Sequence, residues 1–370
     1  MSKKPHKVLF VSLFPPRVGG LALQSDTLAR RLEQEGVTVV PVNAHYEAPS
    51  EGVCGKMWKG MRQVLTLIRA CEARVREVDR VLVAGCSWWG FMPVAAALLL
   101  AQRHKKPVSV LYHGGAAPRF LRLHHQWVRP LLRRADIVAV TSRWLQQVFR
   151  NYGIETAVVP PIIEGEPVRA NDPNGRGPTL LSNRYLEPLY DVGIILEAFS
   201  AVQAACPGAK LVIAGTGSQQ SALQEYATRR GLNVTFVGHV TKEGMAQLLA
   251  AADLYISAAR VDNLPTSVLE AMRAGTMVIA TPVGELPHLM VHGTHGLFFE
   301  PGSAESLAKT VLYALAHEDL CRRCRHQARE LAASFTWERV RPHYLNLLGE
   351  RRSVPVRPGI ARVDGASVVS

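Results

Sequence analysis

Cysteine is scarce in this sequence, and the few cysteines are irregularly spaced. Six occur in 370 residues, without the regular framework of small disulfide-rich secreted domains, so we expect reduced thiols and no disulfides. Cys321 and Cys324 have the spacing of metal ligands, and His317 and His326 lie near them. Because a zinc site normally needs a second pair, and this pair falls within a continuous helical pattern, we predict no metal site.

Long apolar runs are also missing. The N-terminal segment MSKKPHKVLFVSLFPP has a basic flank, but its apolar run is short and stops at two prolines, which indicates a first strand and not a signal peptide. An uncharged stretch lies between Arg80 and Arg103, and a membrane span needs about 20 apolar residues. Gly85 and Pro93 interrupt this stretch, which favours a buried strand, a loop and a helix. We therefore expect a cytoplasmic protein.

Acidic residues are few in the first half of the chain. Residues 1–165 contain 23 lysines and arginines against 11 acids, whereas residues 166–345 contain 16 against 17. This asymmetry favours an anionic partner: a phosphate-bearing substrate, an anionic membrane surface or nucleic acid. The basic stretches 56–76 and 119–134 contain aromatic residues, which favours a membrane surface or an anionic acceptor, although both could be solvated faces. No nucleic-acid-binding motif is present, so we predict no nucleic-acid partner.

The chain does contain a repeated alternation of apolar strands and amphipathic helices. Its length and its apolar content of 48% predict two globular domains. The alternation runs through both halves and predicts an α/β protein with doubly wound parallel sheets. A segment rich in Gly, Pro and Asn places the boundary near Pro167, between domains at 1–165 and 166–345. Residues 346–370 lack periodicity and are predicted to be a flexible tail.

One stretch, from Ile256 to Pro287, predicts a complete strand–loop–helix–strand unit. An apolar strand ends at Ile256 and a polar loop follows it. Pro265 suits the first position of a helix because it lacks the N–H group that would have no partner there. Gly275 is placed to end that helix, and Met277 to Ala280 have the pattern of a buried parallel strand.

The start of this helix is a predicted anion site. Free backbone N–H groups near residues 264–267 coincide with the positive end of the helix dipole, which attracts phosphate groups. Glu270 lies beside them on the first helical turns, where it could also be an ordinary solvated acid. A ligand with phosphate and hydroxyl groups would suit such a place.

Five motifs in order make the second half similar to glycosyltransferase family 4, a set of retaining nucleotide-sugar transferases with the GT-B fold. They are SNRYLEPLYDVGIILEAF, LVIAGTG, VTFVGHV, DNLPTSVLEAMRAG and ATPVGELP. Gly19-Gly20 after the first strand and WERV near the end extend the resemblance along the chain. The resemblance implies two Rossmann-like domains facing across a cleft, with the acceptor side in the first domain, the donor side in the second, and the WERV helix crossing back.

The resemblance also assigns roles to individual residues. It places Glu270 at the ribose hydroxyls, Asp262 at the hydroxyls of the transferred sugar, Arg184 at the diphosphate and His113 near the reactive side of the sugar. Asp262, Arg184 and His113 are the predicted catalytic group. The predicted donor-binding residues are Gly19, Gly20, Arg184, Gly215, Gly217, Gly238, Val240, Asp262, Asn263, Leu264, Pro265, Thr266 and Glu270.

Backbone and glycine positions complete the implied donor site. The amides of Leu264 and Thr266 would face the diphosphate, Gly217 and Gly238 would leave space for the nucleotide, and the Val240 backbone would lie near the base. Gly19-Gly20 would let the first domain approach the phosphates. Two alternatives without ligand contact remain open at this point: His113 could form hydrogen bonds only with its own loop, and Arg184 could pair with Glu187.

Two departures from the family pattern stand out. The family usually has a lysine five residues after the arginine, where this chain has Leu189, so one cation of the diphosphate site is missing. A subgroup with NLEPxYxV shares this feature. Asp262 replaces the usual glutamate and is shorter by one methylene, which could select a different donor sugar.

The implied reaction is transfer of a hexose from a UDP-, GDP- or other nucleoside diphosphate sugar to an acceptor hydroxyl in polysaccharide or glycolipid assembly, with retention. No DxD-like metal site and no separate cofactor are predicted. The alternatives are a non-catalytic sugar-nucleotide-binding scaffold subunit and a sugar-nucleotide epimerase of the same fold. A nicotinamide enzyme is disfavoured because PPRVGG does not match the dinucleotide fingerprint.

Overall fold

The structure is a computed structural model that describes residues 7–16, 19–44, 53–165 and 177–349. Within the second helix, the side chains of residues 53–61 are not described. The predicted domain boundary near Pro167 and most of the predicted tail therefore lie outside the described residues.

Six parallel strands form the first sheet, in the order β2-β1-β3-β4-β5-β6. The strand order reverses between β1 and β3, so the crevice that such sheets use for ligands lies beyond Ser12 and Gly85. The strands are β1 (Lys7–Ser12), β2 (Thr38–Asn43), β3 (Arg80–Gly85), β4 (Val108–Tyr112), β5 (Ile137–Val140) and β6 (Ala157–Val158).

Helices cover both faces of this sheet. Alternate residues of β1 point to opposite sides: Leu9 and Val11 belong to one buried cluster, and Val8 and Phe10 to another. The helices of this half are α1 (Gly20–Gln34), α2 (Val53–Val75), α3 (Met92–Arg103), α4 (Ala117–Leu132) and α5 (Arg143–Arg150).

The second sheet is also parallel, in the order β12-β11-β10-β7-β8-β9. Its strand order reverses between β7 and β10, which places a second ligand crevice beyond Ser182 and Ser257. The predicted α/β class with two doubly wound parallel sheets is confirmed. The strands are β7 (Thr179–Ser182), β8 (Lys210–Ala214), β9 (Val234–Gly238), β10 (Leu254–Ser257), β11 (Met277–Ala280) and β12 (Leu297–Phe298).

Eight α-helices follow residue 177 in the described part of the chain. They are α6 (Val192–Ala205), α7 (Gln220–Arg229), α8 (Lys242–Ala251), α9 (Thr266–Ala274), α10 (Leu286–Leu289), α11 (Ala304–Ala316), α12 (Glu318–Ala333) and α13 (Trp337–Leu347). None of the helices described here combines the length and the apolar character that crossing a membrane requires.

The last helix, α13, packs on the first sheet. Val340 and Tyr344 are buried in the same cluster as Val8 and Phe10. The Tyr344 hydroxyl donates to the carbonyl oxygen of Pro160 at 2.9 Å. Because α13 continues to Leu347, and that residue and Leu348 are buried, the predicted start of the tail at residue 346 is too early.

The CxxC pair is part of the hydrophobic core. Cys321 and Cys324 are buried on α12, and the Cys321 thiol donates to the carbonyl oxygen of Ala314 at 3.2 Å. In the described ranges, no group of three or more His, Cys, Asp and Glu residues is arranged to hold a metal ion. Cys321 therefore connects α12 to the end of α11.

Candidate active site

Arg184 and Asp262 meet at the switch point of the second sheet. Arg184 follows β7, Asp262 follows β10, and their side chains form an ion pair. The guanidinium also donates to Ser267 Oγ at 2.8 Å, and its Cζ atom lies 4.3 Å from the centroid of the Tyr190 ring. Three different groups thus fix the position of this cation.

The alternative pairing of Arg184 with Glu187 does not occur. Glu187 instead accepts hydrogen bonds from the backbone N–H of Ser218 at 2.8 Å and from its hydroxyl at 2.6 Å. These bonds lower the pKa of the Glu187 carboxyl. Arg184 is therefore held towards Asp262 and α9.

The N-terminus of α9 presents unpartnered backbone donors. The helix begins at Thr266, with Pro265 as its N-cap, one position earlier than the first helical position predicted for this proline. The prediction failed by one residue because Pro265 has an extended ψ of 111°, which is outside the helix. The amides of Leu264, Thr266 and Ser267 donate to no other group in the described part of the chain.

Glu270 lies on the second turn of α9 and is partly buried. Burial raises its pKa to about 7, although the charges of Lys242 and Arg184 oppose this effect. Its carboxyl oxygens accept no hydrogen bond from the residues that the structure describes. Glu270 is thus a partly buried acceptor that has no hydrogen-bond partner among the described residues, and its raised pKa argues against the interpretation as an ordinary solvated helix acid.

His113 lies at the carboxyl end of β4, in the first half. Its backbone N–H donates to the Gly85 carbonyl at 2.8 Å, but its ring forms no hydrogen bond with its own loop or with other described residues. Burial lowers the pKa of the imidazole to about 4, so the ring is neutral at pH 7. A neutral imidazole can accept a hydrogen bond from a hydroxyl group.

Two glycines bring the halves together. A Cβ atom added to Gly115, just after His113, would lie 2.6 Å from the carbonyl carbon of Asp262, and one added to Gly19 would lie 3.3 Å from the Tyr185 hydroxyl. The loop after β4 and the start of α1 therefore both approach the loops that carry Arg184 and Asp262. The space around Gly20 is open.

Other predicted glycines shape the Arg184 loop itself. A Cβ on Gly215 would lie 2.3 Å from the carbonyl oxygen of Arg184, and one on Gly217 would lie 2.4 Å from that of Leu186. Sequence reasoning assigned Gly217 to space for the nucleotide and missed this close packing of two backbones. Gly238 has a φ of 67° and open space around it.

Val240 and Asn263 have structural contacts of their own. The Val240 side chain packs partly buried on the cluster around α9. Asn263 is 6% exposed and donates through Nδ2 to Thr141 Oγ1 at 2.6 Å, while Ser142 Oγ donates to its Oδ1 atom. Asn263 thus fastens the Asp262 loop to the start of α5.

Glu285 reinforces this connection and was missed by the sequence analysis. Its carboxylate accepts a hydrogen bond from the Trp144 backbone N–H at 2.6 Å and is also bonded by the Arg143 amide, although burial raises the pKa of this acid. A carboxylate at the N-terminus of α5 is favourable because it satisfies free helical donors.

The region of the missing lysine contains a second arginine. Leu189 is 42% exposed, and its carbonyl accepts a hydrogen bond from the Arg260 amide at 3.0 Å. The Arg260 guanidinium donates to Asp191 at 2.7 Å. Two Arg–Asp pairs therefore connect the loops after β7 and β10.

Two family models match successive parts of the chain. The model described as Glycosyltransferase Family 4 matches residues 18–165, and the model described as Glycosyl transferases group 1 matches residues 166–331. The chain belongs to glycosyltransferase family 4. The resemblance to the family is confirmed, whereas the subgroup suggested by NLEPxYxV stays a prediction.

Curated relatives cover the chain to different extents. Mannosylfructose-phosphate synthase of Agrobacterium fabrum is 30% identical over 44% of this chain and 38% of its own length. A GDP-mannose-dependent phosphatidylinositol monomannoside mannosyltransferase of Corynebacterium glutamicum is 32% identical over 46% of this chain and 47% of its own length. The alignment thus spans less than half of either protein. Sulfoquinovosyl transferase SQD2 of Arabidopsis thaliana is 26% identical over 90% of this chain and 71% of its own.

Solved structures share the GT-B fold. Anabaena HepE, in complex with UDP and glucose, has a TM-score of 0.74 and 18% identity over 93% of this chain and 100% of its own. Sucrose-phosphate synthase from Thermosynechococcus elongatus has a TM-score of 0.76 and 17% identity, and the match covers 92% of this chain and 98% of that one. At this identity the likeness shows the fold alone.

Proposed function

We propose that this family 4 protein transfers a hexose from a nucleoside diphosphate sugar to an acceptor hydroxyl, with retention at the anomeric carbon. One observation carries the proposal: Arg184, Asp262 and the free amides at the start of α9 converge at the switch point, against the loop that carries His113. We assign donor binding to residues 166–345 and acceptor binding to residues 1–165.

The donor would bind with its diphosphate at the start of α9. The amides of Leu264 and Thr266 and the Arg184 guanidinium are donors suited to phosphate oxygens. Glu270 has two oxygens free for the ribose hydroxyls. The donors are fixed before the diphosphate gains charge, and such preorganised groups stabilise a transition state strongly.

In the proposed step the acceptor oxygen forms a bond to the anomeric carbon while the bond from that carbon to the diphosphate breaks. The electron pair leaves with the nucleoside diphosphate, which also receives the acceptor proton. Arg184 would stabilise this leaving group, and Asp262 would hold the sugar hydroxyls. Neutral His113 would accept a hydrogen bond from the transferred sugar and orient it.

The relatives described above support a phosphate-containing donor without selecting one. They include a GDP-mannose-dependent enzyme and a structure with UDP-glucose. The several acceptors named there, including a phosphatidylinositol mannoside, suit assembly of a glycolipid or polysaccharide here. We propose that the basic first half also rests on an anionic membrane surface from the cytoplasmic side.

We propose that the reaction needs neither a metal ion nor a separate cofactor. The Arg184 guanidinium and the positive end of the α9 dipole would supply the positive charge that a metal ion gives in other transferases. Complete loss of transfer in EDTA, restored by Mn²⁺, would contradict this.

A donor screen followed by a transfer assay tests the function. A nucleotide sugar that binds the folded protein raises its melting temperature, and the same sugar, radiolabelled, should enter product in a cell extract. Glu270→Gln should lose the thermal shift, whereas Glu305→Gln, an exposed helix acid, should retain it. Donor that is bound but never consumed would favour a scaffold subunit, and isomerised donor without acceptor would favour an epimerase.

A further inference from the structure

Two exposed tryptophans follow β3 at the switch point of the first sheet. Trp88 and Trp89 are 37% and 45% exposed. Trp88 has a φ of 60°, in the left-handed region that large side chains rarely adopt. Strained residues of this kind persist only where neighbours enforce them, and they cluster at functional sites.

The neighbours that enforce this conformation are clear. The Cys86 amide donates to the Gly90 carbonyl, and the Gly90 amide donates to the Ser87 carbonyl, both at 3.2 Å. The buried Ser87 hydroxyl also bonds the Tyr112 hydroxyl at 2.6 Å. The loop is thus closed on itself and anchored to β4, which holds the backbone of Trp88 in this conformation.

The Trp88 indole lies against the first turns of α4. Its ring meets the rings of Phe120 and His124 edge to face, at centroid distances of 5.7 and 5.5 Å. The Arg119 guanidinium carbon lies 5.9 Å from the Trp88 centroid. An exposed indole and a guanidinium group are thereby placed side by side.

Arg119 has a second arginine one helical turn away. Arg119 and Arg122 are both exposed, and neither forms an ion pair with an acid in the described ranges. The first turn of α4 contains no acid. Two neighbouring guanidinium groups without counter-ions favour an anion, and phosphate matches their planar donors.

This surface is close to the donor site. A Cβ on Gly114 would lie 3.2 Å from the Cβ of Cys86, and a Cβ on Gly115 would lie 2.6 Å from the Asp262 backbone. The two consecutive glycines therefore connect the Trp88 loop on one side to the Asp262 loop on the other. A molecule on Trp88 would be near the sugar to be transferred.

We propose that Trp88, Arg119 and Arg122 form an acceptor subsite for a phosphate-bearing acceptor. The apolar face of the acceptor's sugar ring lies on the indole, and its phosphate binds the two arginines. This inference rests on the proposed transferase function and names the class of its acceptor. The phosphate belongs either to a lipid-linked acceptor or to a soluble sugar phosphate.

The test uses the full chain and a radiolabelled nucleotide sugar. Lipid and aqueous fractions of an extract from the cells that carry the gene are supplied separately as sources of acceptor. After the unused donor is removed, the labelled product is passed over an anion exchanger, which shows whether it is anionic. Arg119→Gln/Arg122→Gln is compared with Arg229→Gln/Arg230→Gln, which removes the same charge from the exposed end of α7 in the second half. Trp88→Asn removes the indole with a residue that tolerates positive φ.

The wild-type protein should give an anionic product, in the lipid fraction for a lipid-linked acceptor and in the aqueous fraction for a sugar phosphate. The Arg119/Arg122 variant should raise the KM for that acceptor at least tenfold and leave the donor KM unchanged. Trp88→Asn should also raise the acceptor KM at least tenfold without changing the donor KM. A neutral product, or equal effects of both double variants, overturns the subsite and leaves the transferase function intact. Bound donor without transfer into either fraction overturns the function and the subsite together.

Discussion

Arg184 and Asp262 form an ion pair across the two loops of the switch point, although 78 positions separate them in the chain. The pair is mostly shielded from solvent, because the two side chains are 10% and 18% exposed. Arg184 would therefore serve two partners, the diphosphate on one side and Asp262 on the other. This arrangement makes the aspartate part of the machinery that positions the cation.

Asp262→Asn should reduce catalysis more than it reduces folding stability. The asparagine retains the size of the side chain but no longer holds the guanidinium by charge, and one charge-assisted hydrogen bond is worth about 1.5–3 kcal/mol. We expect kcat to fall about 10- to 100-fold with a smaller change in donor KM. Steady-state kinetics with the donor from the thermal screen measures both.

Asp191→Asn is the matched control for this prediction. Asp191 also pairs with an arginine, Arg260, whose side chain is 60% exposed, and exposed pairs contribute only about 0–1 kcal/mol. Its effect on kcat should be less than threefold. Equal losses in the two variants would mean that Asp262 has no special relation to Arg184.

Donor binding should depend on the protonation of Glu270. Its pKa is raised from its ordinary value of 4.5 to about 7 in the folded protein, so the carboxylate that accepts hydroxyl protons forms only as the pH rises through about 7. We expect donor affinity to increase between pH 6 and pH 8. Glu270→Gln should flatten this dependence and weaken binding at pH 8, as measured by titration calorimetry.

Folding stability should change in the opposite direction. Because the folded pKa of Glu270 lies above the unfolded one, the folded state binds more protons between about pH 4.5 and pH 7, and its stability falls as the pH rises through that window. Glu270→Gln should therefore stabilise the protein relative to wild type at pH 8 and have little effect at pH 4.5. A stability difference that does not vary with pH would contradict the raised pKa of this carboxyl group.

The sequence predicted those parts of the site that lie within one continuous segment. The anion site at α9 and Glu270 are there because a polar loop, a proline and a helical pattern follow an apolar strand within a few residues. The alternation of parallel strands and helices also predicted that Arg184 lies at the carboxyl edge of the sheet, where ligands bind. These features depend on the helix and strand propensities of neighbouring residues and on the spacing of apolar residues along the chain.

Contacts between distant segments could not be predicted. Asn263 and Thr141 are 122 positions apart, and neither residue type indicates the other. The contact of Gly115 with the Asp262 backbone depends on how the two sheets are placed, which no local pattern encodes. Tyr190 stacks on Arg184 where the family usually has a lysine nearby, and the sequence indicated only that the lysine was missing.

Arg260 should contribute positive charge to the donor site. It lies in the same loop as Asp262, and its amide and guanidinium contact residues 189 and 191, where the family lysine is absent. We expect Arg260→Gln to raise the donor KM about 3- to 10-fold and to reduce the salt dependence of donor binding. Arg229→Gln, on the outer helix α7, should change neither quantity, and identical results for the two variants would exclude Arg260 from the site.

Gly115→Ala should separate the two halves of the cleft. The new Cβ would lie 2.6 Å from the Asp262 backbone, a distance that real Cβ atoms essentially never show, and backbone cannot yield as a flexible side chain can. We expect kcat to fall about 100-fold, because small displacements of reacting groups cost that much, and we expect the radius of gyration from small-angle scattering to increase. Gly193→Ala is the control, since its Cβ would meet only the Leu223 side chain at 3.8 Å. An active, equally compact Gly115→Ala protein would show that the contact between Gly115 and Asp262 is not needed for transfer.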